Sequence, residues 1–422
     1  MITKAVRIYG ENDLRLESFE LPAIREDEIL ARVVSDSLCM SSYKAAIQGA
    51  RHKRIPDDVS ENPTMIGHEF CGVIVEAGKK WSSRFAAGDC FTLQPAHNKN
   101  GSLDAPGYSY PFCGGDATYI IIPPEIMEMN CLMKLSSGAF FYGSLAEPMS
   151  CIIRAFRAVY HTTPGTYEHS MGIKKGGRMA ILAGAGPMGL GAVDYAIHNP
   201  EKRPGLLVVT DVSDERLARA ALLLSPEDAQ KNGVELVYLN TKSIDAVNIL
   251  KGMTSGDGFD DILVFAPVKA VIEQGDAILA KDGCLNFFSG PSDPNLKAEV
   301  NFYNIHYSYT HMMGSVGGNN ADMLESLALM EKGLINPAAM VTHIGGLDSV
   351  IDTTLNLPHI PGGKKLIYPG INLDLTAIDD FAEQGKTEPL FAMLGEIAKR
   401  HNGLWSEEAE KALLSWPLEK NG

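Results

Sequence analysis

Ala180-Ile-Leu-Ala183 runs straight into Gly184-Ala-Gly186-Pro187-Met188-Gly189, and Leu206-Leu-Val-Val-Thr210 ends in Asp211, 22 residues past Gly189. A G-x-G-x-x-G by itself is a weak signal, because glycine is common in turns of every kind. Here it follows an apolar strand, opens the Ala-rich helical stretch 187–198 and precedes a second strand that ends in an acid. In that order each glycine has its own use. The first makes the tight turn, the second lets backbone approach a pyrophosphate, and the third lets helix and strand pack closely. The helix N-terminus offers the phosphates its unsatisfied N–H groups and partial positive charge. Asp211 can accept hydrogen bonds from ribose hydroxyls, and its charge repels a 2′-phosphate. The stretch is therefore read as a dinucleotide site built from Gly184, Gly186, Pro187, Met188, Gly189 and Asp211, with NAD(H) preferred over NADP(H). Arg216, one or two helical turns on, stands near the adenine or is simply a solvated helix residue.

Working outward, strand and helix patterns alternate from about residue 175, with strands at 178–182, 206–210, 236–239, 261–265 and 283–288. Parallel strands need crossovers of this length, so a doubly wound parallel sheet is the economical reading. Residues 1–150 read differently, as short alternating segments at 5–8, 29–34, 72–77, 90–94 and 117–122 broken by Gly and Pro, which favours a mainly antiparallel β domain. The aromatic and glycine-rich stretch 302–318 and the amphipathic helix 321–331 are expected to rejoin that first domain. From Leu373 on, apolar residues recur at helical spacing, with Leu390, Met393, Leu394 and Ile397 on one face, so the end of the chain reads as a helical extension. The prediction is thus an α/β chain with a first domain at 1–152 and 302–372, a nucleotide domain at 153–301, and a C-terminal helical extension at 373–422.

With 45% apolar and 21% charged residues, the 422-residue chain has the composition of a folded globular protein. The 37 Lys and Arg against 52 Asp and Glu leave a net charge of −15, which argues against nucleic acid and anionic membrane as partners. No apolar run approaches the ~20 residues of a membrane helix, and the start MITKAVRIYG lacks the apolar core of a secretion signal, so the chain reads as cytoplasmic. Seven cysteines, widely spread and without a C-x-x-C pair, imply no disulfide framework.

Chemistry enters with Cys39, closely followed by Ser41, with Gly67-His68-Glu69, and with Glu147 in Leu145-Ala-Glu147-Pro148. Thiolate, imidazole and carboxylate suit tetrahedral zinc, and a catalytic site uses three protein ligands and one open position. Spacing alone does not assemble them. The ordered set Cys39-Met-Ser41, Gly67-His68-Glu69-Phe-Cys-Gly72, Gly88-Asp89, Gly114-Gly115-Asp-Ala-Thr-Tyr119, Leu145-Ala-Glu147-Pro148, Gly184 to Gly189, Val341-Thr-His343 and Gly362-Gly-Lys-Lys365 resembles the zinc-dependent medium-chain dehydrogenases. It looks most like their polyol dehydrogenase branch, which includes enzymes of sorbitol and of sugar phosphates such as sorbose 1-phosphate.

The resemblance implies a GroES-like catalytic domain with an inserted Rossmann domain. It makes Cys39 and His68 ligands of one catalytic zinc, either Glu69 or Glu147 the third, and Ser41 the proton-passing hydroxyl. Two departures stand out. Relatives with a second, structural zinc carry four close cysteines where this chain has only Cys113, so that zinc is expected to be absent. Lys44 stands where relatives often carry a relay histidine, and it joins Ser41 and Glu69 as a candidate catalytic residue. The expected activity is hydride transfer between NAD(H) and a polyol or ketose, with an unphosphorylated polyol or secondary alcohol as the alternative and a non-catalytic NAD-binding regulator as a less favoured one. Arg51-His52-Lys53-Arg54, a basic cluster in an acidic chain, points to a phosphorylated substrate held by Arg51, Lys53 and Arg54. Its competing reading is an exposed loop whose charges pair with Asp57, Asp58 and Glu61. A homo-oligomer, dimer or tetramer, is expected.

Overall fold

The structure is a computed structural model that describes residues 1–136 and 138–417, so the part of the extension at 418–422 lies outside the described residues. The chain divides into two compact units, one of Met149–Gly318 with Lys332–Met340, the other of Met1–Pro148, Asn319–Glu331 and Val341–Gly422.

In the first of these, six parallel strands lie in the order third, second, first, fourth, fifth, sixth: Glu235–Asn240, Leu206–Asp211, Arg178–Leu182, Phe259–Val264, Leu279–Phe287 and His311–Gly314. Helices cover both faces of such a sheet, so its strands read as nearly continuous apolar runs, and Ala180, Leu182, Val208, Ile262, Val264 and Leu285 are all buried. The strand order reverses between the first and fourth strands, where sheets of this kind bind ligands beyond their carboxyl ends.

Residues 302–318, expected in the β domain, belong here instead. His311–Gly314 pairs in parallel with the fifth strand, His311 opposite Cys284, and closes the edge of the sheet. The short helix Phe302–Tyr307 leads into it, with Phe302, Tyr303 and Tyr307 exposed. Aromatic and glycine-rich composition marks an edge strand as readily as a barrel strand, so composition alone places this stretch wrongly.

The second unit is built around the strand Ile29–Leu38. It pairs antiparallel with Phe70–Ala77, with Lys364–Tyr368 and with Tyr119–Ile122. Ile29, Ala31 and Val33 point into a core with Phe70, Ile74, Phe91, Ile120 and Ile122. The registers put Asp36 opposite Phe70 and Leu38 opposite Lys365. Three chain segments far apart in sequence therefore end side by side: Cys39 just after one strand, Glu69 just before the second, Lys364 at the start of the third.

The tail is part of this unit rather than a separate extension. Helices Pro389–Arg400 and Glu407–Ser415 form where the periodicity predicts them, and Leu390, Leu394, Ile397, Trp405 and Leu413 are buried. No helix among the described residues is long and apolar enough to cross a membrane.

Candidate metal centre and dinucleotide loop

Cys39 follows its strand, still in extended backbone, and directly precedes the helix Met40–Gln48, so its thiol and the Ser41 hydroxyl leave the same turn; Sγ and Oγ are 3.5 Å apart. His68 and Glu69 occupy the turn before Phe70–Ala77. One donor atom each from Cys39, His68 and Glu69 lies within 4.8 Å of the other two, the one such group among the described residues. His68 Nε2 is 3.9 Å from Glu69 Oε1.

The turn has little freedom. Gly67 has φ +89°, and a Cβ there would lie 2.6 Å from both Asp116 N and Asp36 Oδ2, so only glycine fits. Asp36 and Asp116 are fully buried behind it, and Asp36 Oδ1 accepts the Glu69 N–H at 3.2 Å. Burial pushes the Asp116 carboxyl up to about 7 and Asp36 well above its ordinary value, where the charges of Asp116 and Glu69 add to the effect. Two adjacent carboxyls in such a place hold a proton between them.

The electrostatics suit metal binding. Burial lowers His68 to about 4, so the imidazole is neutral and its lone pair available at neutral pH. Ser42 Oγ lies 3.2 Å from His68 Nδ1, and Tyr108 Oη lies 3.1 Å from Nδ1 and 3.3 Å from Nε2. Burial, with the charge of Glu69, raises the Cys39 thiol to about 11. Burial also penalises the Glu69 carboxylate, but Lys364 and His68 outweigh it and hold that carboxyl below its ordinary value. Lys364, fully enclosed, donates to Glu69 Oε1 at 2.6 Å and to Oε2, which also takes the Ser37 hydroxyl.

Glu147, on the helix Phe140–Ala158, lies near enough for its charge to raise the pKa of both Lys364 and Tyr108, though it is not one of the three converging donors. Lys44 is half-buried, and burial lowers its pKa. Cys113 is enclosed in the β core.

The basic cluster does not converge as expected. Arg51 forms an exposed ion pair with Glu11 at 2.7 Å, and Lys53 is exposed. Arg54 turns the other way: its guanidinium carbon is 5.8 Å from the Tyr108 ring centroid, and its Nη1 donates to Leu103 O at 2.6 Å. Its charge reaches His68. Sequence reading misses Tyr108, Ser37 and Asp36, which carry no motif, and meets Asp116 only within the family pattern Gly114 to Tyr119. Lys364 enters it only as part of a family pattern.

In the other unit the strand Arg178–Leu182, the loop and the helix Pro187–His198 follow the predicted order. A Cβ on Gly189 would lie 2.1 Å from Gly184 O, whereas one on Gly186 would meet nothing within 4 Å. The loop is thus packed tight on its inner side and open at Gly186, where backbone can face a pyrophosphate. Met188 follows Pro187 in the first turn of that helix. Asp211 Oδ1 accepts the N–H groups of Val212 and Ser213 at 2.8 and 3.1 Å, and Oδ2 that of Ala185 at 3.3 Å. The carboxylate therefore ties the glycine loop to the end of the second strand. Arg216 is exposed on the following helix.

Comparison with known proteins identifies the family. Residues 25–130 match the alcohol dehydrogenase GroES-like domain, and residues 187–332 match the zinc-binding dehydrogenase family. The chain is 50% identical to a mannitol-1-phosphate 5-dehydrogenase of Aliivibrio fischeri over 98% of each chain. It is 47% identical to an L-sorbose 1-phosphate reductase of Klebsiella pneumoniae over 98% of this chain and 97% of that one. The solved structure of 2R,3R-butanediol dehydrogenase from Bacillus subtilis shares the fold, with a TM-score of 0.68 at 22% identity, covering 87% of this chain and 99% of that one. A chain so similar to these dehydrogenases over almost its whole length, with both units matching, belongs to the zinc-binding medium-chain dehydrogenase family and is an oxidoreductase.

Proposed function

We propose that the protein is a zinc- and NAD(H)-dependent dehydrogenase that interconverts a phosphorylated polyol and the corresponding ketose phosphate. The observation that carries the reading is the convergence of the Cys39 thiol, the His68 imidazole and the Glu69 carboxylate at the ends of two adjacent strands, in a chain that also has the dinucleotide loop. These donor types suit zinc, and three of them leave a coordination position open.

Cys39, His68 and Glu69 would hold the ion. Bound there, zinc supplies a Lewis acid for the charge that develops on the substrate oxygen as hydride is exchanged with the nicotinamide. Ser42 fixes the imidazole by its contact with Nδ1, the kind of support that orients metal-binding histidines. Lys364 and Ser37 hold the Glu69 carboxylate in one orientation. Glu147 serves as the second carboxylate of the site. Ser41, on the same turn as Cys39, passes the substrate proton. Lys44 takes the proton onward, its lowered pKa making the ammonium a better donor than an exposed lysine.

Gly184, Gly186, Pro187, Met188 and Gly189 would form the pyrophosphate cradle, Asp211 would face the adenine ribose and Arg216 the adenine. Asp211→Asn removes the charge but keeps the shape. It is expected to narrow the preference for NAD over NADP in kcat/KM by about 10- to 100-fold, since a carboxylate near a phosphate is repelled by a few kcal/mol in a partly screened site. Unmodified protein that uses NADP as well as NAD would refute this role for Asp211.

The phosphate reading draws on two supports, the substrates in the names of the two relatives and the position of Arg54 beside Tyr108 and His68. Of the three basic residues in the cluster, Arg54 is the anchor this reading keeps; Arg51 and Lys53 are left as surface charges. Charge-assisted hydrogen bonds contribute about 1.5–3 kcal/mol each, so Arg54→Ala should lower kcat/KM for a ketose phosphate by about 10- to 150-fold and leave the unphosphorylated ketose nearly unchanged. Equal efficiency of the unmodified enzyme toward both forms would favour the unphosphorylated polyol instead.

A homo-oligomer fits the same reading. The strand His311–Gly314 is an outer edge of its sheet, and exposed Phe302, Tyr303, Tyr307 and Tyr309 lie in or beside the helix leading into it, more apolar surface than an isolated edge ordinarily shows.

A further inference from the structure

Glu410 is 1% exposed, a carboxylate enclosed in the tail helix Glu407–Ser415. An enclosed carboxylate without partners is among the most costly groups a fold can hold. This one has three donors. The N–H of Phe140 reaches Oε2 at 2.6 Å, the N–H of Phe141 reaches Oε1 at 2.8 Å, and the hydroxyl of Tyr368 reaches Oε1 at 2.9 Å. Trp405 Nε1, also from the tail, donates to the same Tyr368 oxygen at 2.8 Å.

These donors are not scattered. Phe140 and Phe141 begin the helix Phe140–Ala158, which carries Glu147, and Tyr368 ends the strand Lys364–Tyr368, which begins with Lys364. A helix leaves its first N–H groups without partners inside the helix and presents a partial positive charge there. Such groups are usually met by a side chain just before the helix, whereas here a glutamate 270 residues away meets them.

The first turns of this helix are also pressed on the sheet. Cys71 Sγ donates to Phe140 O at 2.8 Å, Ser144 Oγ is 2.9 Å from Ser35 Oγ, and a Cβ on Gly143 would lie 2.6 Å from Cys71 Cβ. Residues 140, 143, 144 and 147 share one face of a helix, so Glu147 follows these contacts along the same side. At 1.5 Å per residue it stands only about 10 Å from the end that Glu410 holds.

We propose that Glu410 is a positioning residue of the site: by joining the start of the helix Phe140–Ala158 to the end of the strand Lys364–Tyr368, it sets where Glu147 and Lys364 stand. The tail is then a working part of the catalytic unit rather than an appendage. The inference rests on the reading of Cys39, His68 and Glu69 as the zinc site.

The test compares zinc-loaded unmodified protein with Glu410→Gln, which keeps the volume and replaces one accepting oxygen by an amide N–H, and with Tyr368→Phe, which deletes one hydroxyl. Three experiments are made: the rate of zinc release to a chromogenic chelator, steady-state kinetics giving kcat and KM for ketose phosphate and NADH, and thermal melting giving Tm. Glu410→Gln is expected to lower kcat by about 10- to 100-fold, as displaced catalytic groups do, and to speed zinc release, with KM for NADH within about twofold. Tyr368→Phe should change the same quantities in the same direction by less. A lower Tm with unmodified kcat and unmodified zinc release would overturn the proposal and leave Glu410 a structural brace. If Glu410→Gln does not fold, Tyr368→Phe decides by the same criteria. Unmodified protein that carries no zinc overturns the zinc reading, while the kcat comparison still judges Glu410.

Discussion

Cys39→Ser protein is expected to bind NADH like the unmodified protein while losing its zinc and its turnover together, kcat falling by at least about 1000-fold. The magnitude follows from what is removed: charge on the substrate oxygen loses several kcal/mol of stabilisation, and each 1.36 kcal/mol is tenfold in rate. Cofactor binding should survive because the glycine loop and Asp211 belong to the other compact unit. Serine is nearly isosteric with cysteine but, as a neutral hydroxyl, a far poorer zinc ligand than a thiolate.

The same site sets a pH dependence. Without metal the Cys39 thiol is raised to about 11, so at neutral pH zinc must displace a proton to bind. His68, lowered to about 4, contributes no second proton in this range. Lowering the pH therefore weakens zinc binding, by about tenfold per unit between pH 6 and 9 for one released proton. Zinc analysis by mass spectrometry, titrations of stripped protein against a competing chelator, and NADH fluorescence check the three parts. Full turnover in zinc-free protein would remove the metal from the mechanism; zinc loading that ignores pH would remove Cys39 from the ligands.

Lys364→Met is expected to destabilise the protein by about 3–5 kcal/mol, the usual cost of leaving one member of a buried ion pair without the other. For a unit of this size that corresponds to roughly 10 °C in Tm. The lysine is the cation that holds both oxygens of Glu69, and both side chains are enclosed, at 6% and 2% exposure. Combining Lys364→Met with Glu69→Gln should recover much of the loss, since no unpaired charge remains. Thermal and urea melts of the four proteins, each with and without zinc, measure the coupling. A single Lys364→Met variant that melts like the unmodified protein would show that the pair is screened or replaced.

The legibility of this chain is uneven, and for physical reasons. The strand Arg178–Leu182 and the helix Pro187–His198 can be read to the residue, because a parallel strand buried on both faces and a glycine turn leave strong local signals. Cys39, His68 and Glu69 stand out as candidates, but strand register, not sequence spacing, brings them together: Cys39 and Glu69 adjoin only because Asp36 pairs with Phe70. Residues 302–318 mislead because a four-residue edge strand carries too little pattern to say which sheet it joins. The tail is legible as helices, since Leu390, Leu394 and Ile397 share a face, yet Glu410 reads as one more solvated acid on a charged helix. Its burial depends on partners at 140, 141 and 368, which no local pattern reveals. The basic run 51–54 misleads in the opposite sense, for charges adjacent in sequence turn to opposite sides, Arg51 to Glu11 and Arg54 to Tyr108.

The interleaving of the two units has a consequence for how the chain acquires its fold during synthesis. The nucleotide sheet is nearly contiguous, closing with the strand His311–Gly314, and can complete itself early. The catalytic unit cannot. Glu69 waits 295 residues for Lys364, and Phe141 waits 269 for Glu410. Until those segments leave the ribosome, the Asp36–Leu38 end of the strand Ile29–Leu38 lacks its neighbour on one side and Glu69 has no counter-charge. Contacts this distant in sequence are slow to form, and at about 5–20 residues per second the delay is tens of seconds, long enough for an open β edge to attract chaperones or other nascent chains. The proposed site of Cys39, His68 and Glu69 would then take its metal at the last stage of maturation, after the chain has returned to its own beginning.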